Sequence, residues 1–153
     1  MEQPTIKNTL NIDMEIPQTR IAKFWEGLKQ GKLFATKCTK CGETYFPPTA
    51  DCPRCYSSNM NWIELTGDAE LITWTIVHVS PKSFSQHSPY IIAIAKLKEG
   101  PNVMAWFTGI KPEDIKAGMK LKLVPKYIPE KEKLSYEFIQ SCNINFRDGV
   151  CRL

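Results

Sequence analysis

Four cysteines constrain this chain more than any other feature. They stand as Cys38-Thr39-Lys40-Cys41 and Cys52-Pro53-Arg54-Cys55, two Cys-x-x-Cys knuckles with ten residues between them. Two residues between cysteines let both thiolates of one turn point at one metal ion, and two such turns close a tetrahedral site. Four thiolates leave no open position for substrate, so the role is structural. Zinc is the expected ion; iron, which paired knuckles also hold, is the competitor. Gly42 relaxes the turn after the first pair. Residues 33–60 have little apolar content beyond Tyr45-Phe46-Pro47-Pro48. They cannot build a core unaided, whereas binding a structural metal supplies roughly 10–16 kcal/mol of apparent free energy.

Composition narrows the classes. The chain has 153 residues, a formal charge of +4 and 42% hydrophobic residues, which excludes a disordered polyelectrolyte, a collagen or a coiled coil. The length suits one domain, or two small ones sharing a boundary. No run reaches the 18 or so apolar residues of a membrane span. The start lacks a basic segment followed by an apolar run, so no secretory signal is expected and the cytoplasm is the expected compartment. In that compartment paired knuckles are metal ligands, not disulfides. The modest lysine excess suits an anionic ligand, but falls far short of a nucleic-acid arm or a polybasic membrane anchor.

Periodicity then orders the rest. Residues 1–17 read as a polar, irregular arm whose order depends on docking. Ile21, Phe24, Trp25 and Leu28 form one apolar stripe, predicting a helix over 19–31 with Thr19 as cap and Gly31 as stop. Gly27 weakens that helix by about 1 kcal/mol relative to Ala. From residue 61 the pattern is that of strands: 69–79, 90–97, 103–108, 120–124 and 134–138, with one helical turn at 112–115. In the first strand, Leu71, Val77 and Val79 are expected on one face, and Ile72, Trp74 and Ile76 on the other. Five strands with a helix between the third and fourth is the layout of an OB-fold barrel; an SH3-like barrel or a small open sheet are the alternatives.

Several groups are candidates for chemistry. The loop 80–89 holds Lys82, Phe84, Ser85 and His87; with the loop 128–133 it would flank an OB-fold's binding face. It reads either as a rim for an anionic ligand or as a solvated loop. Lys111, Lys116, Lys120, Lys122 and Lys126 form a loose cationic run, read mainly as the wet side of a strand and alternatively as a phosphate contact. Phe24 and Trp25 suit packing within the domain, or else a docking face or tunnel wall. Trp62, Trp74, Trp106 and Phe107 read as core. Catalysis finds little support. There are two histidines, His78 and His87, and no nucleophile elbow, zincin motif or phosphate-binding glycine loop. Cys142 and Cys151 read as buried or tail thiols; pairing of either with a histidine is the minor alternative.

The order of motifs resembles the two-domain zinc-ribbon/OB-fold family catalogued as domain of unknown function thirty-five. The resemblance runs over roughly residues 20–138. It includes Phe24-Trp25-Glu26-Gly27-Leu28, Gly31-Lys32-Leu33, the two knuckles, Phe46-Pro47-Pro48, Thr66-Gly67, Thr75-Ile76-Val77-His78, Pro89-Tyr90-Ile91-Ile92-Ala93, Glu99-Gly100 and Ala117-Gly118-Met119. It implies a mainly β protein: an N-terminal arm and helix (1–32), a rubredoxin-like zinc ribbon (33–60), a five-stranded OB-fold (61–140) and a C-terminal tail (141–153). It implies one structural zinc on Cys38, Cys41, Cys52 and Cys55. It further implies a non-catalytic subunit that binds acyl-CoA and bridges to a thiolase or HMG-CoA synthase-like enzyme. Phe24, Trp25, His78 and Tyr90 match family positions, and Lys82, Phe84 and His87 join them as candidate ligand contacts. The alternative function is a nucleic-acid-binding module. Against it stand the low charge and the expectation that no paired exposed aromatics lie on the second and third barrel strands. A third reading is an enzyme such as a thioesterase.

Overall fold

A computed structural model describes residues 19–128 and 133–141. The arm 1–17, the middle of the 128–133 loop, Cys142, Cys151 and the rest of the tail lie outside the described residues.

A 3-10 turn at Thr19–Ile21 leads into α1 (Ala22–Lys29). Thr19 does not cap it: the chain first winds the 3-10 turn, and the residue before α1 is Ile21, with no side-chain cap. The stop is as expected. Gly31 takes φ 77°, while the Lys32 N–H bonds the Gly27 carbonyl at 2.8 Å and the Gly31 N–H bonds that of Leu28 at 3.2 Å. That pair of bonds satisfies carbonyls at the helix end. Gly27 has a packing reason to lack a side chain, since a Cβ there would collide with the Phe34 ring.

Three short strands follow: β1 (Phe34–Cys38), β2 (Thr44–Tyr45) and β3 (Met60–Glu64), ordered β2-β1-β3 and antiparallel. The sequence pattern places no strand between 33 and 60. β2 has only two residues, and β1 reads Phe-Ala-Thr-Lys-Cys, too short and mixed to show a period of two.

The barrel comprises β4 (Asp68–Val77), β5 (Tyr90–Leu97), β6 (Asn102–Phe107), β7 (Lys120–Ile128) and β8 (Lys133–Gln140). It closes in the order β4-β5-β6-β8-β7, with β7 returning to β4. A 3-10 turn at Pro112–Asp114 lies between the third and fourth barrel strands, as the OB-fold reading requires. Its interior mixes Ala69, Ala93, Ala95 and Ala105 with Leu71, Leu97, Leu121, Leu123, Phe107 and Phe138, all buried. Small and large residues alternate to fill a narrow barrel.

The faces of β4 differ from the sequence expectation. Its register with β5 shifts between Leu71 and Thr73, leaving Ile72 in a bulge. One extra residue reverses the parity beyond it. Leu71, Trp74 and Ile76 therefore share the inward face, opposite Ala95, Ala93 and Ile91, while Ile72 stays 47% exposed.

Among the described residues only β6 and β8 run parallel, and they register at two positions, Trp106↔Glu137 and Phe107↔Phe138. Among the described residues, the first halves of these strands do not pair with each other. The wall is therefore split there.

Ribbon and barrel share one core. Phe24, Leu28, Leu33, Ala35, Phe46 and Leu65 join the barrel residues in a single cluster. Phe46 is the hinge of this junction: its ring lies 5.7 Å from Phe24 and 5.0 Å from Tyr136 of β8, edge to face in both cases. Such geometry adds about 0.5–1.5 kcal/mol per pair beyond area burial.

Gly67 carries the turn into β4. It has φ 81°, its carbonyl accepts from the Leu123 N–H at 2.7 Å, and a Cβ there would strike the Leu123 carbonyl oxygen. Gly67→Ala should therefore destabilise the protein by about 2–4 kcal/mol. A urea titration measures this as a lower midpoint at unchanged slope. A midpoint equal to wild type would show that the turn is not constrained in this way.

Candidate metal centre and apolar groove

Cys38 ends β1, Cys41 follows in the turn to β2, and Cys52 and Cys55 form the second turn before β3. Their four sulfurs lie within 4.8 Å of one another. Cys38 and Cys55 approach to 3.6 Å, and Cys41 and Cys52 to 3.5 Å. A tetrahedral zinc with Zn–S of about 2.3 Å has sulfur edges of about 3.8 Å, so the residues present fit the ion. All four cysteines are free thiols. Zinc bound here would cross-link the knuckles and offer nothing to a substrate.

The two turns repeat each other. The Gly42 N–H bonds the Cys38 carbonyl and the Tyr56 N–H bonds the Cys52 carbonyl, both at 2.9 Å. Both residues sit just after a knuckle in the left-handed region, Gly42 at φ 76° and Tyr56 at φ 55°. Sequence reasoning found the glycine and missed the tyrosine, because a tyrosine gives no signal of positive φ.

Backbone N–H groups aim at the sulfurs. The N–H groups of Cys41 and Lys40 stabilise the Cys38 thiolate and outweigh burial, holding its pKa below the usual thiol range. Burial opposes the Cys52 thiolate, but the Tyr45 hydroxyl and the Cys55 and Arg54 N–H groups prevail and bring it down to about 6. The Tyr45 hydroxyl sits 3.3 Å from that sulfur. The Glu43 N–H favours the Cys41 thiolate, yet burial and the neighbouring sulfurs push Cys41 up to about 12. Cys55 is raised as well: the Ser57 N–H is outweighed by burial and by Cys38 and Cys52. The surroundings thus favour the thiolate form at Cys38 and Cys52 and the protonated form at Cys41 and Cys55.

A second feature lies across the shared core. Where the wall splits between β6 and β8, a groove of about 250 Å³ opens, lined by Trp25, Leu28, Met104, Ala105, Trp106, Leu134, Ser135 and Tyr136. Trp25 forms its helical wall. The indole N–H of Trp25 is buried and finds no acceptor among the described residues. Burial pushes the Tyr136 phenol pKa up. A larger open cleft of about 690 Å³ lies elsewhere, among Asp68, Glu70, Lys96, Lys98 and Lys120. It is a wide, charged surface without aromatic lining.

The loop candidates meet the groove at Trp106. Lys82–His87 winds a 3-10 turn, which lays Phe84 5.9 Å from Trp106 and 6.3 Å from Tyr90, with His87 edge-on to Trp106 at 5.5 Å. Tyr90 stacks on Trp106 at 4.8 Å and 14°. Tyr90 opens the second barrel strand and Trp106 lies on the third, so these strands carry an aromatic pair, half-buried rather than exposed. The stack corrects the reading of Trp106 as core. Val103, Ala105 and Phe107 alternate inward, so Met104 and Trp106 point outward; that alternation was the available signal.

Phe24 lies elsewhere, 2% exposed in the core beside Phe46 and Tyr136. Lys82 and His78 are exposed. The His78 carbonyl accepts from the Ser88 hydroxyl at 2.7 Å, which ties the two ends of the loop. Phe84, His87 and Tyr90 thus share one aromatic cluster with Trp106; Trp25 lines the same groove as Trp106, and its ring lies 5.0 Å from that of the buried Phe24.

The lysine run is largely paired. Lys120, Lys122 and Lys126 meet Glu70, Asp68 and Glu137. Lys122 holds the Asp68 carboxyl below its usual range through a direct hydrogen bond. This agrees with the wet side of a strand rather than a phosphate contact.

A rubredoxin-like knuckle pair joined to an OB-fold barrel defines a zinc-ribbon/OB-fold protein. Comparison with known families agrees: residues 25–61 match the rubredoxin-like zinc ribbon domain of ChsH2, and residues 62–125 match its C-terminal OB-fold domain. The chain is 36% identical to a DUF35 domain-containing scaffold protein of Pyrococcus furiosus, over 72% of this chain and 82% of that protein. The chain belongs to the DUF35 family. It is also 31% identical to a probable enoyl-CoA hydratase alpha subunit of Thermomonospora curvata, over 65% of this chain but 31% of that longer protein. Among solved structures it is similar to an Ltp2-ChsH2(DUF35) aldolase, with a TM-score of 0.66 and 26% identity, covering 88% of this chain and 98% of that one. No helix among the described residues is long and apolar enough to cross a membrane.

Metal analysis should find one zinc per chain, lost in Cys52→Ser. Because Cys41 and Cys55 must give up protons to bind, affinity should fall as pH is lowered from 8 to 6. A chelator-competition titration at both pH values checks the sign. Retained zinc in Cys52→Ser, or affinity rising on acidification, would contradict the tetrathiolate site.

Proposed function

We propose that this chain is a non-catalytic accessory subunit of an acyl-CoA enzyme, with the groove between Trp25 and Trp106 receiving the arm of the acyl-CoA. The observation that carries this reading is the groove itself: a slot with mainly apolar and aromatic walls, Trp25 on one side and Met104 and Trp106 on the other. An acyl-CoA arm is a mostly apolar chain bearing amide and thioester carbonyls. It can fill such a slot and meet Ser135 and Tyr136 with its carbonyls, as ligand pockets commonly combine apolar lining with few placed polar groups. Lys82 and His87, both exposed on the turn that carries Phe84, would meet the phosphates at the far end of the ligand. Tyr90 and Phe84 would flank the arm. Phe24 would act from beneath, by holding Trp25 at 5.0 Å, and the exposed His78 would act only as an outer contact. Zinc on Cys38, Cys41, Cys52 and Cys55 would be structural.

The names borne by relatives support an accessory role: a scaffold protein, a hydratase alpha subunit and an Ltp2-ChsH2 aldolase. A thiolase or HMG-CoA synthase-like enzyme is the partner proposed.

One observation favours the nucleic-acid alternative, the Tyr90–Trp106 stack, because aromatic platforms hold single-stranded bases. The pairing of Lys120, Lys122 and Lys126 with carboxylates weighs against it.

Native pull-down from the source cells, with mass spectrometry of everything retained, tests the reading. Recovery of an acyl-CoA enzyme is expected, together with at least tenfold weaker acetyl-CoA binding by the complex carrying Trp25→Ala. Nuclease-sensitive retention of nucleic-acid proteins, with no acyl-CoA enzyme, would overturn it.

A further inference from the structure

The outward face of β5 and β6 is unusual for a surface that meets water. Along β5 the buried residues Ile91, Ala93 and Ala95 point into the barrel. The alternate residues Tyr90, Ile92 and Ile94 point out. Across the ladder, Ile92 faces Trp106 and Ile94 faces Met104. Five outward positions in succession are therefore apolar, and Met104 is 64% exposed. An antiparallel sheet with one wet face ordinarily alternates apolar and polar residues. Strands apolar on both faces signal burial on both faces.

The rim differs from the centre. At one end the row meets Lys96, opposite Asn102; at the other it meets the loop bearing Lys82 and His87. No ion pair engages Lys82 or Lys96 among the described residues. An apolar centre rich in aromatic and Met side chains, bounded by a polar rim, is the anatomy of a protein–protein interface. Cations at both ends oppose docking against a second copy, since face-to-face pairing brings lysine or histidine onto lysine. They suit a partner with an apolar centre and an acidic rim.

The face is also continuous with the groove, because Met104 and Trp106 belong to both. We infer that the β5–β6 outer face, centred on Ile92, Ile94, Met104 and Trp106, is the surface on which the acyl-CoA enzyme docks, through an apolar patch rimmed by carboxylates. This rests on the accessory-subunit reading above. A partner seated there covers the outer side of the groove and brings its own surface to the groove's mouth.

The test compares full-length wild type with Ile94→Lys, Lys96→Glu and Tyr127→Lys in the same native pull-down, quantifying the acyl-CoA enzyme recovered. Tyr127 is an exposed aromatic on β7, outside the face. Zinc content and thermal melting confirm that each variant folds. Ile94→Lys should lower recovery at least tenfold. Lys96→Glu should lower it several-fold, and Tyr127→Lys should leave it unchanged. Equal recovery with Ile94→Lys and wild type would overturn the docking face while leaving the accessory reading intact. No acyl-CoA enzyme with wild type would instead defeat the accessory reading. Self-association of the purified chain that Ile94→Lys abolishes would assign the face to a second copy. Stronger capture on removing residues 1–18 would assign it to that segment, whose Leu10, Ile12, Met14 and Ile16 alternate with polar residues.

Discussion

The four-thiolate site is the constraint on which the other parts depend. Fixing a residue's backbone costs about 1–2 kcal/mol of conformational entropy, and residues 33–60 bury too few apolar side chains to offset that. Leu33, Ala35 and Phe46 are the main ones. A metal that joins the two knuckles substitutes for the missing core. It also fixes the segment between them, and Phe46 lies in that segment. Phe46 presses on Phe24 and Tyr136, so the metal-bound segment helps to position α1, which also packs on the barrel through Phe24 and Leu28. Trp25 is carried on α1, and with it the wall of the groove.

The barrel contributes the opposite wall through an imperfection. Strands β4, β5 and β6 pair along most of their lengths, and β7 pairs fully with β8. The parallel neighbours β6 and β8 touch at two positions and then part. Their separated edges expose Met104, Trp106, Leu134 and Tyr136 beside the helix. Ribbon, helix and split barrel thus meet at one place, and no single element forms the groove.

What could be read from the sequence follows physical range. The cysteines were legible because metal ligation needs a fixed local spacing. The five barrel strands and the OB-fold layout were legible because alternation and turn residues are local too. The ligand-side residues were legible only in part. Trp106 follows the same alternation as Val103 and Phe107, but its outward position becomes informative only when the loop folds Phe84 and His87 against it. The two faces of β4 could not be assigned, since a one-residue bulge at Ile72 reverses them and leaves no mark in the pattern. Glycines were ambiguous in the same way. Gly27 reads as a weak point in a helix until the Phe34 ring is seen filling the place of its side chain.

Hydrogen exchange read by mass spectrometry, before and after complete metal removal by a chelator, tests the dependence of the groove on the metal most directly. The account predicts faster exchange in residues 33–60 and also in α1, with β5 still protected by its ladders to β4 and β6. Protection of α1 that is unchanged in the metal-free protein would contradict it, since the helix would then hold its place without the knuckles.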